Sequence, residues 1–190
     1  TAVTEANSRR RHNDQLRLLI WNIHYGHGGD TDHFAKHSAV EVAGTLAAIA
    51  EVIKEAEVDF VLLQEVDLSA DRSHRVDQLR LLAQKADFPY FAWVPTWNAR
   101  YIPFPYAEPQ RWLGKVHSGQ GILSRFPLIS NRRILLPQPS EQPFWYNRFY
   151  LSRAIQVVEA KVPNAAPIQL FNLHLEAFWP HNRMLQAKLV

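Results

Sequence analysis

Three apolar, strand-like runs of this 190-residue chain end on a polar or ionisable side chain. The side chains that follow these runs are Asn22, Glu65 and His174. A strand buried on both faces has a nearly continuous apolar sequence, and polar groups at its carboxyl end lie at the rim of the sheet, where open sheets build their sites. We therefore expect a buried sheet and a site that contains these three residues.

The spacing of apolar residues predicts alternating helices and strands. Helical periodicity extends from Val40 to Glu55 and from Asp77 to Ala86, and strand patterns cover 16–23, 58–64, 90–94, 121–124, 129–136, 154–162 and 168–175. The proline- and aromatic-rich stretch 95–116 predicts a long loop. A last helical pattern begins near Asn182 and reaches Val190 without a capping residue, which predicts that the chain stops inside a larger domain.

Composition narrows the class of protein. A content of 47% hydrophobic residues is not typical of a disordered or fibrous protein. The apolar stretches are shorter than the roughly 18 residues that cross a bilayer, so we expect a soluble chain, and the sequence does not indicate its cellular compartment. The lack of cysteine excludes disulfides and thiolate metal sites. A net charge of +3 favours anionic substrates without identifying one. Residues 1–15 form a polar arm that we expect to be flexible.

Four motifs occur in order: Trp21-Asn22-Ile23, Leu63-Gln64-Glu65-Val66, Gly121-Ile122-Leu123-Ser124-Arg125 and Asn172-Leu173-His174-Leu175-Glu176. Together they resemble the endonuclease/exonuclease/phosphatase superfamily, whose members cleave phosphate esters in DNA, RNA, phospholipids and inositol phosphates. The resemblance implies an α/β fold, a four-layer α-β-β-α sandwich of which residues 16–190 supply the N-terminal part. It also implies a site in a cleft at the top of the two sheets.

The resemblance assigns roles to the three strand-end residues. Glu65 matches the carboxylate that holds a divalent metal, Mg²⁺ or alternatively Mn²⁺, and Asn22 matches the amide that supports the metal or the phosphate. His174 matches the histidine that hydrogen-bonds the scissile phosphate. Hard cations prefer carboxylate, carbonyl and water oxygens, so a carboxylate with an amide nearby suits Mg²⁺. The implied reaction is attack of water at phosphorus, with charge stabilised by the metal and by His174.

Further side chains are candidates for contact with the substrate. Arg153 precedes a strand and offers a planar guanidinium that suits phosphate. Aromatic residues are numerous, and those favoured for a wall of the substrate site are Trp97, Tyr101, Phe104 and Trp145.

Two groups of charged residues have simpler interpretations. Asp67 is expected to be a partner of the site or to pair with Arg72 rather than to bind the metal directly. Read alone, Glu65 would cap a helix or pair with Arg72 or Arg75. The histidines of residues 24–37 include a pair, His33 and His37, with zinc-like spacing, but no third ligand follows at a recognisable interval, so a polar surface loop is favoured.

Two family segments, Gly-Asp-x-Asn and a terminal Asp-His pair, do not occur before Val190. We therefore expect this chain alone to be inactive and the complete protein to be a Mg²⁺-dependent phosphoesterase of the phosphodiesterase or nuclease type. Three explanations stay open: a portion of an active enzyme, one piece of a protein whose C-terminal segment is a separate chain, or a non-catalytic phosphate- or phospholipid-binding module. The substrate is expected to be a nucleic acid, a phospholipid head group or an inositol phosphate.

Overall fold

The computed structural model describes residues 15–29, 36–103, 108–109, 112–140, 142–143, 147, 149 and 151–190. Residues 1–14 of the predicted arm lie outside this range. So do three residues singled out from the sequence, namely His33, Phe104 and Trp145.

The first sheet has four strands in the order β1-β2-β4-β3. They are β1 (Leu18–Asn22), β2 (Phe60–Asp67), β3 (Tyr90–Ile102) and β4 (Gly114–Ser124). β1 runs parallel to β2, whereas β4 is antiparallel to both of its neighbours. The parallel register sets Asn22 opposite Gln64, so the carboxyl ends of the first two strands meet at one edge of the sheet.

A second, antiparallel sheet has the order β5-β6-β7. Its strands are β5 (Leu128–Leu135), β6 (Ala154–Ala160) and β7 (Ile168–Leu173). The two sheets face each other across an apolar core to which both contribute buried side chains, namely Phe60, Leu62, Ile122, Val158, Ala160 and Leu170. This core brings the end of β7 close to the ends of β1 and β2.

Helices cover the other face of the first sheet. α1 (Ala39–Glu55) and α2 (Gln78–Lys85) bury Leu46, Ile53 and Leu82 in a core shared with β2 and β4. α1 begins at a capping box, in which the Glu41 amide donates to the Ser38 hydroxyl and the Ser38 amide donates to the Glu41 carboxylate. These layers form the predicted α/β sandwich. No helix among the described residues combines the length and apolarity needed to cross a membrane.

Two segments predicted from the sequence, the loop 95–116 and the last helix, have other bounds in the structure. Residues 95–102 and 114–116, predicted as loop, extend β3 and β4. The pairing accommodates Pro95 at a shift of register on an edge strand, where a missing amide hydrogen is tolerated. The last helix, α3 (Pro180–Ala187), has a proline in its first turn and ends before Val190, so the inference that it reaches Val190 uncapped also fails.

Candidate active site

The three strand-end residues meet at one carboxylate oxygen. Nδ2 of Asn22 donates to Oε1 of Glu65 at 3.1 Å, and Nδ1 of His174 lies 3.8 Å from the same oxygen. β1 and β2 supply Asn22 and Glu65, while His174 directly follows β7 of the other sheet. The site is therefore built from both sheets of the sandwich, at their common edge.

The second oxygen of Glu65 has no such partner. Oε2 is buried and accepts no hydrogen bond from any described residue, although the side chain as a whole is 26% exposed. Burial of an unpartnered carboxylate oxygen is costly, and a cation is a partner that removes the cost. The described residues contain no group of three His, Cys, Asp or Glu side chains able to hold a metal. One carboxylate beside an amide is a donor set that suits a hard cation keeping several waters, and metal binding by Glu65 stays a prediction.

The backbone at Glu65 is strained. Leu63 pairs with Gly121 and Val66 with Gly119, so two residues of β2, Gln64 and Glu65, stand opposite a single residue of β4. This is a β-bulge, and Glu65 adopts a φ of 55° within it. A left-handed conformation costs a non-glycine residue about 1–2 kcal/mol. A strained backbone conformation is retained where surrounding contacts hold it in place, and such residues cluster at functional sites.

Asn172 of β7 holds the strand pair just before the bulge. Its Nδ2 donates to the carbonyl oxygens of Leu63 and Gly121, at 2.9 and 3.1 Å, and its Oδ1 accepts from Nε2 of Gln64 at 2.7 Å. Asn172 is only 1% exposed. A buried amide with these partners joins the second sheet to the first directly beneath Glu65.

Arg72 holds the strand pair just after the bulge. Its Nε and Nη2 donate to the two carboxylate oxygens of Asp67 at 3.0 and 2.9 Å, and Nη2 also donates to the Ser118 hydroxyl at 3.3 Å. The predicted pairing of Asp67 with Arg72 is therefore confirmed. The alternative partners of Glu65 are wrong, because Arg75 pairs instead with Asp71 at 2.8 Å.

The turn after β1 has a strained backbone and is fixed by hydrogen bonds with Asn22 and Gln78. Oδ1 of Asn22 accepts from the His24 amide at 3.0 Å, and His24 and Tyr25 have φ values of 47° and 45°. The fully buried Gln78 donates to the Tyr25 carbonyl at 2.6 Å and accepts from the Asp67 amide at 3.0 Å. Both ends of the Asn22 amide are thus engaged, and here Asn22 orients Glu65. Its direct ligation of a metal stays a prediction.

Burial favours the neutral form of the His174 imidazole. Burial, followed by the charge of Arg153, lowers the pKa of His174 below 6.5, while Glu65 and Glu176 act in the opposite direction. Its backbone amide is held by Gln120, whose side-chain oxygen accepts at 2.9 Å in the amide orientation that also satisfies the Ala154 carbonyl. A neutral imidazole in this position has one N–H to donate and one lone pair.

The residues predicted to contact substrate lie at different distances from Glu65 and His174. Arg153 is buried, with its Nε 3.8 Å from Oε2 of Glu176. Trp97 lies 5.6 Å from the Arg72 guanidinium and donates from Nε1 to the Phe149 carbonyl at 2.9 Å. Tyr101 is 55% exposed, farther along the same strand. Trp97 therefore lies beside Arg72, and Arg153 lies close enough to His174 for its charge to lower the pKa of that imidazole. The contact of Arg153, Trp97 and Tyr101 with substrate stays a prediction.

The histidine-rich segment is not simply a surface loop. His27 is 4% exposed, and neither ring nitrogen has a hydrogen-bond partner among the described residues. Burial, with smaller effects from neighbours such as His37, lowers the pKa of His27 to about 4. Its ring contacts that of His37 at a centroid distance of 4.5 Å. The prediction of a solvated loop is therefore wrong for His27, which is a neutral part of the interior.

Sequence reasoning assigned no role to the buried amides that support Glu65. Gln64, Gln78 and Asn172 are each at most 6% exposed. The signal was present at Asn172, because it is two residues from Leu170 and so shares its inward face of β7. A lone amide on an apolar strand face implies a buried hydrogen-bond partner, which the sequence does not identify.

Comparison with known proteins gives one family and several related folds. The model of the Endonuclease/Exonuclease/phosphatase family matches residues 19–178. None of the curated proteins matches the chain significantly.

Three solved structures illustrate the shared fold. An endonuclease/exonuclease/phosphatase from Beutenbergia cavernae DSM 12333 superposes with a TM-score of 0.61 at 22% identity, covering 92% of this chain and 42% of that one. ANGEL2, a 2',3'-cyclic phosphatase, gives a TM-score of 0.58 at 15% identity and covers 90% of this chain and 44% of its own. A family protein from Bacteroides thetaiotaomicron gives 0.56 at 18% identity, covering 92% and 56%. The chain thus spans about half the length of these structures.

Proposed function

This chain belongs to the endonuclease/exonuclease/phosphatase family, and from that premise we propose that the complete protein is a metal-dependent hydrolase of phosphate esters, of the phosphodiesterase or nuclease type. The family includes phosphoesterases and nucleases. One observation carries the proposal: Asn22 and His174 converge on the carboxylate of Glu65, whose second oxygen is buried without a partner among the described residues.

In this proposal Glu65 binds Mg²⁺, for which Mn²⁺ can substitute, and Asn22 fixes the direction of the carboxylate. The chemistry supplied at this position is Lewis acidity toward a phosphate oxygen. Because the Asn22 amide donates to Oε1, Oε2 is the oxygen that would hold the cation. The strained bulge at Glu65 serves the same end, because it aims one carboxylate at the rim of the sheet.

His174 acts on the phosphate itself. Its neutral imidazole donates an N–H to a non-bridging oxygen on which negative charge grows as water attacks phosphorus. The proximity of His174 to Glu65, 3.8 Å from Nδ1 to Oε1, supports a phosphate that lies against both residues at once. No residue of this chain is assigned to proton removal from water, and we expect the isolated chain to be inactive.

The substrate is proposed only as a class. Nucleic acids, phospholipid head groups and inositol phosphates all present the phosphate ester that Glu65 and His174 would bind. The 2',3'-cyclic phosphatase activity named for ANGEL2 adds one ester to test, although at 15% identity the likeness concerns the fold alone. A panel of DNA, RNA, a 2',3'-cyclic nucleotide, sphingomyelin and an inositol phosphate separates these classes.

Kinetics of the complete protein on bis(p-nitrophenyl) phosphate with Mg²⁺ test the proposal. Removal of one donor to the developing charge costs about 10²–10³-fold in kcat, so we expect at least that loss in His174→Ala and in Glu65→Gln. Arg80→Ala is the control, because it removes an exposed pair with Asp77 and a contact with the Phe91 ring, and it should leave the rate unchanged. Full activity in Glu65→Gln would reject the proposal. A protein that binds phosphate esters through these residues but hydrolyses none of the panel would instead be a binding module.

A further inference from the structure

We infer that Arg72 is a positioning residue for Glu65, because its guanidinium contacts two of the three segments from which the site is built. One segment is the strand pair that carries Glu65, and the other is the turn that follows Asn22. The inference rests on the proposed function for the role of Glu65 itself. It adds a residue that touches neither metal nor substrate and sets the geometry of those that do.

On the Glu65 side, Arg72 ties together two facing residues immediately beyond the bulge. Asp67 of β2 and Ser118 of β4 are register partners, and Arg72 donates to both side chains. The Ser118 hydroxyl in turn donates to the Val66 carbonyl at 3.4 Å. Asn172 holds the pair before the bulge, so the left-handed Glu65 is fixed from both directions along the strands.

On the Asn22 side, Arg72 supports the turn through a stacked ring. Its guanidinium carbon lies 3.4 Å from the centroid of the Tyr25 ring, and Tyr25 follows Asn22 by three residues in a left-handed conformation. A planar guanidinium can stack on an aromatic face and make two parallel hydrogen bonds at the same time, whereas an ammonium cannot do both. Arginine is therefore the residue type that can both stack on Tyr25 and make two hydrogen bonds to Asp67.

Gln78 reinforces the same connection. It bonds the Tyr25 carbonyl with its nitrogen and the Asp67 amide with its oxygen, so it links the two segments that Arg72 also links. A buried ion pair is by itself weak evidence for a contribution to stability. The pair of Arg72 with Asp67 lies between two strained segments, one carrying Glu65 and the other following Asn22. This position indicates that the pair acts on the geometry of the site.

The test is Arg72→Lys in the complete protein, read by Mn²⁺ binding without substrate in an electron paramagnetic resonance titration. Loss of a residue that supports a metal ligand typically costs about 10–100-fold in affinity, and we expect that loss here in a protein that circular dichroism shows to be folded. Arg75→Lys is the matched control, since the contact that the Arg75 side chain makes among the described residues is an exposed pair with Asp71. It should bind Mn²⁺ as the unmodified protein does.

Tyr25 variants give an independent readout if Arg72→Lys does not fold. Tyr25→Leu removes the ring and should weaken Mn²⁺ binding, and Tyr25→Phe, which keeps the stack, should weaken it less. If Arg72→Lys folds and binds Mn²⁺ with unchanged affinity, the inference is overturned. If Arg72→Lys does not fold, unchanged Mn²⁺ affinity in Tyr25→Leu overturns it instead. If Glu65→Gln also binds Mn²⁺ normally, the proposed function fails as well; if Glu65→Gln alone loses binding, only the role of Arg72 is rejected.

Discussion

The side-chain amide of Asn22 donates to Oε1 of Glu65 at 3.1 Å, across two parallel strands whose register sets Asn22 opposite Gln64. The same amide accepts from the His24 backbone, so Asn22 cannot rotate without breaking two hydrogen bonds. The direction of the carboxylate is thus set by the end of the neighbouring strand.

We predict that Asn22→Ala lowers both Mn²⁺ affinity and kcat/KM about 10–100-fold, the usual effect of removing a group that orients a metal ligand. The reason is that Oε1 loses the hydrogen bond from Nδ2 of Asn22, so the carboxylate is freed to rotate. Titration with Mn²⁺ and steady-state kinetics measure the two effects. Gln84→Ala, which removes an exposed amide from α2, is the control. Equal values for the two variants would contradict the role of Asn22.

The strained backbone at Glu65 predicts an inverted preference for glycine. Because Glu65 has a φ of 55°, we expect Glu65→Gly to be more stable than Glu65→Ala by about 1 kcal/mol. At Gln169, a regularly paired position of β7, the order should be reversed, since glycine weakens a strand by roughly 0.5–1 kcal/mol relative to alanine. Urea unfolding of the four variants measures both differences. The same order at both positions would show that the bulge holds no such strain.

Asn172 is predicted to contribute more to stability than other polar residues of its strand. Asn172→Leu leaves the carbonyls of Leu63 and Gly121 and the amide of Gln64 without this partner, and a buried polar group left unpaired costs about 1–3 kcal/mol. Gln169→Leu, at an exposed position of β7, is the matched control and should cost little. Comparable unfolding free energies for the two variants would contradict the role of Asn172 as the link between the sheets.

The buried His27 predicts a loss of stability in acid. Its pKa is about 4 in the folded protein and 6.5 ordinarily, so below pH 6.5 the unfolded chain takes up a proton that the folded chain does not. The free energy of unfolding should fall between pH 6.5 and 4, by about 3 kcal/mol for this group, and be unaffected by it at higher pH. Urea unfolding across this range measures the slope. His27→Phe should flatten the slope, and an unchanged slope would show that His27 is not the cause.

Much of this arrangement is predictable from local sequence. The ends of β1, β2 and β7 were expected at the site because apolar runs lead into Asn22, Glu65 and His174. The pairing of Asp67 with Arg72 was also expected, and it is a contact between residues close in sequence. Such features depend on periodicity and on neighbours a few residues away.

The rest depends on pairing between distant segments. The bulge at Glu65 arises because β4 offers one residue opposite two, which no pattern within β2 reveals. The extension of β3 past Pro95 has the same origin, since a register shift in the pairing with β4 absorbs the proline. The polar contacts of Asn172 span more than a hundred residues to β2. Local pattern therefore indicated the three residues that converge at Glu65, and it missed the contacts that hold them.

The central claim is that Glu65 is the carboxylate that binds a divalent metal. Titration of the complete protein with Mn²⁺, followed by electron paramagnetic resonance in the absence of substrate, tests it without dependence on the identity of the substrate. We predict that Glu65→Gln, which preserves the shape of the side chain and removes its charge, loses measurable Mn²⁺ binding while remaining folded. A folded Glu65→Gln protein that binds Mn²⁺ with the affinity of the unmodified protein would contradict the account.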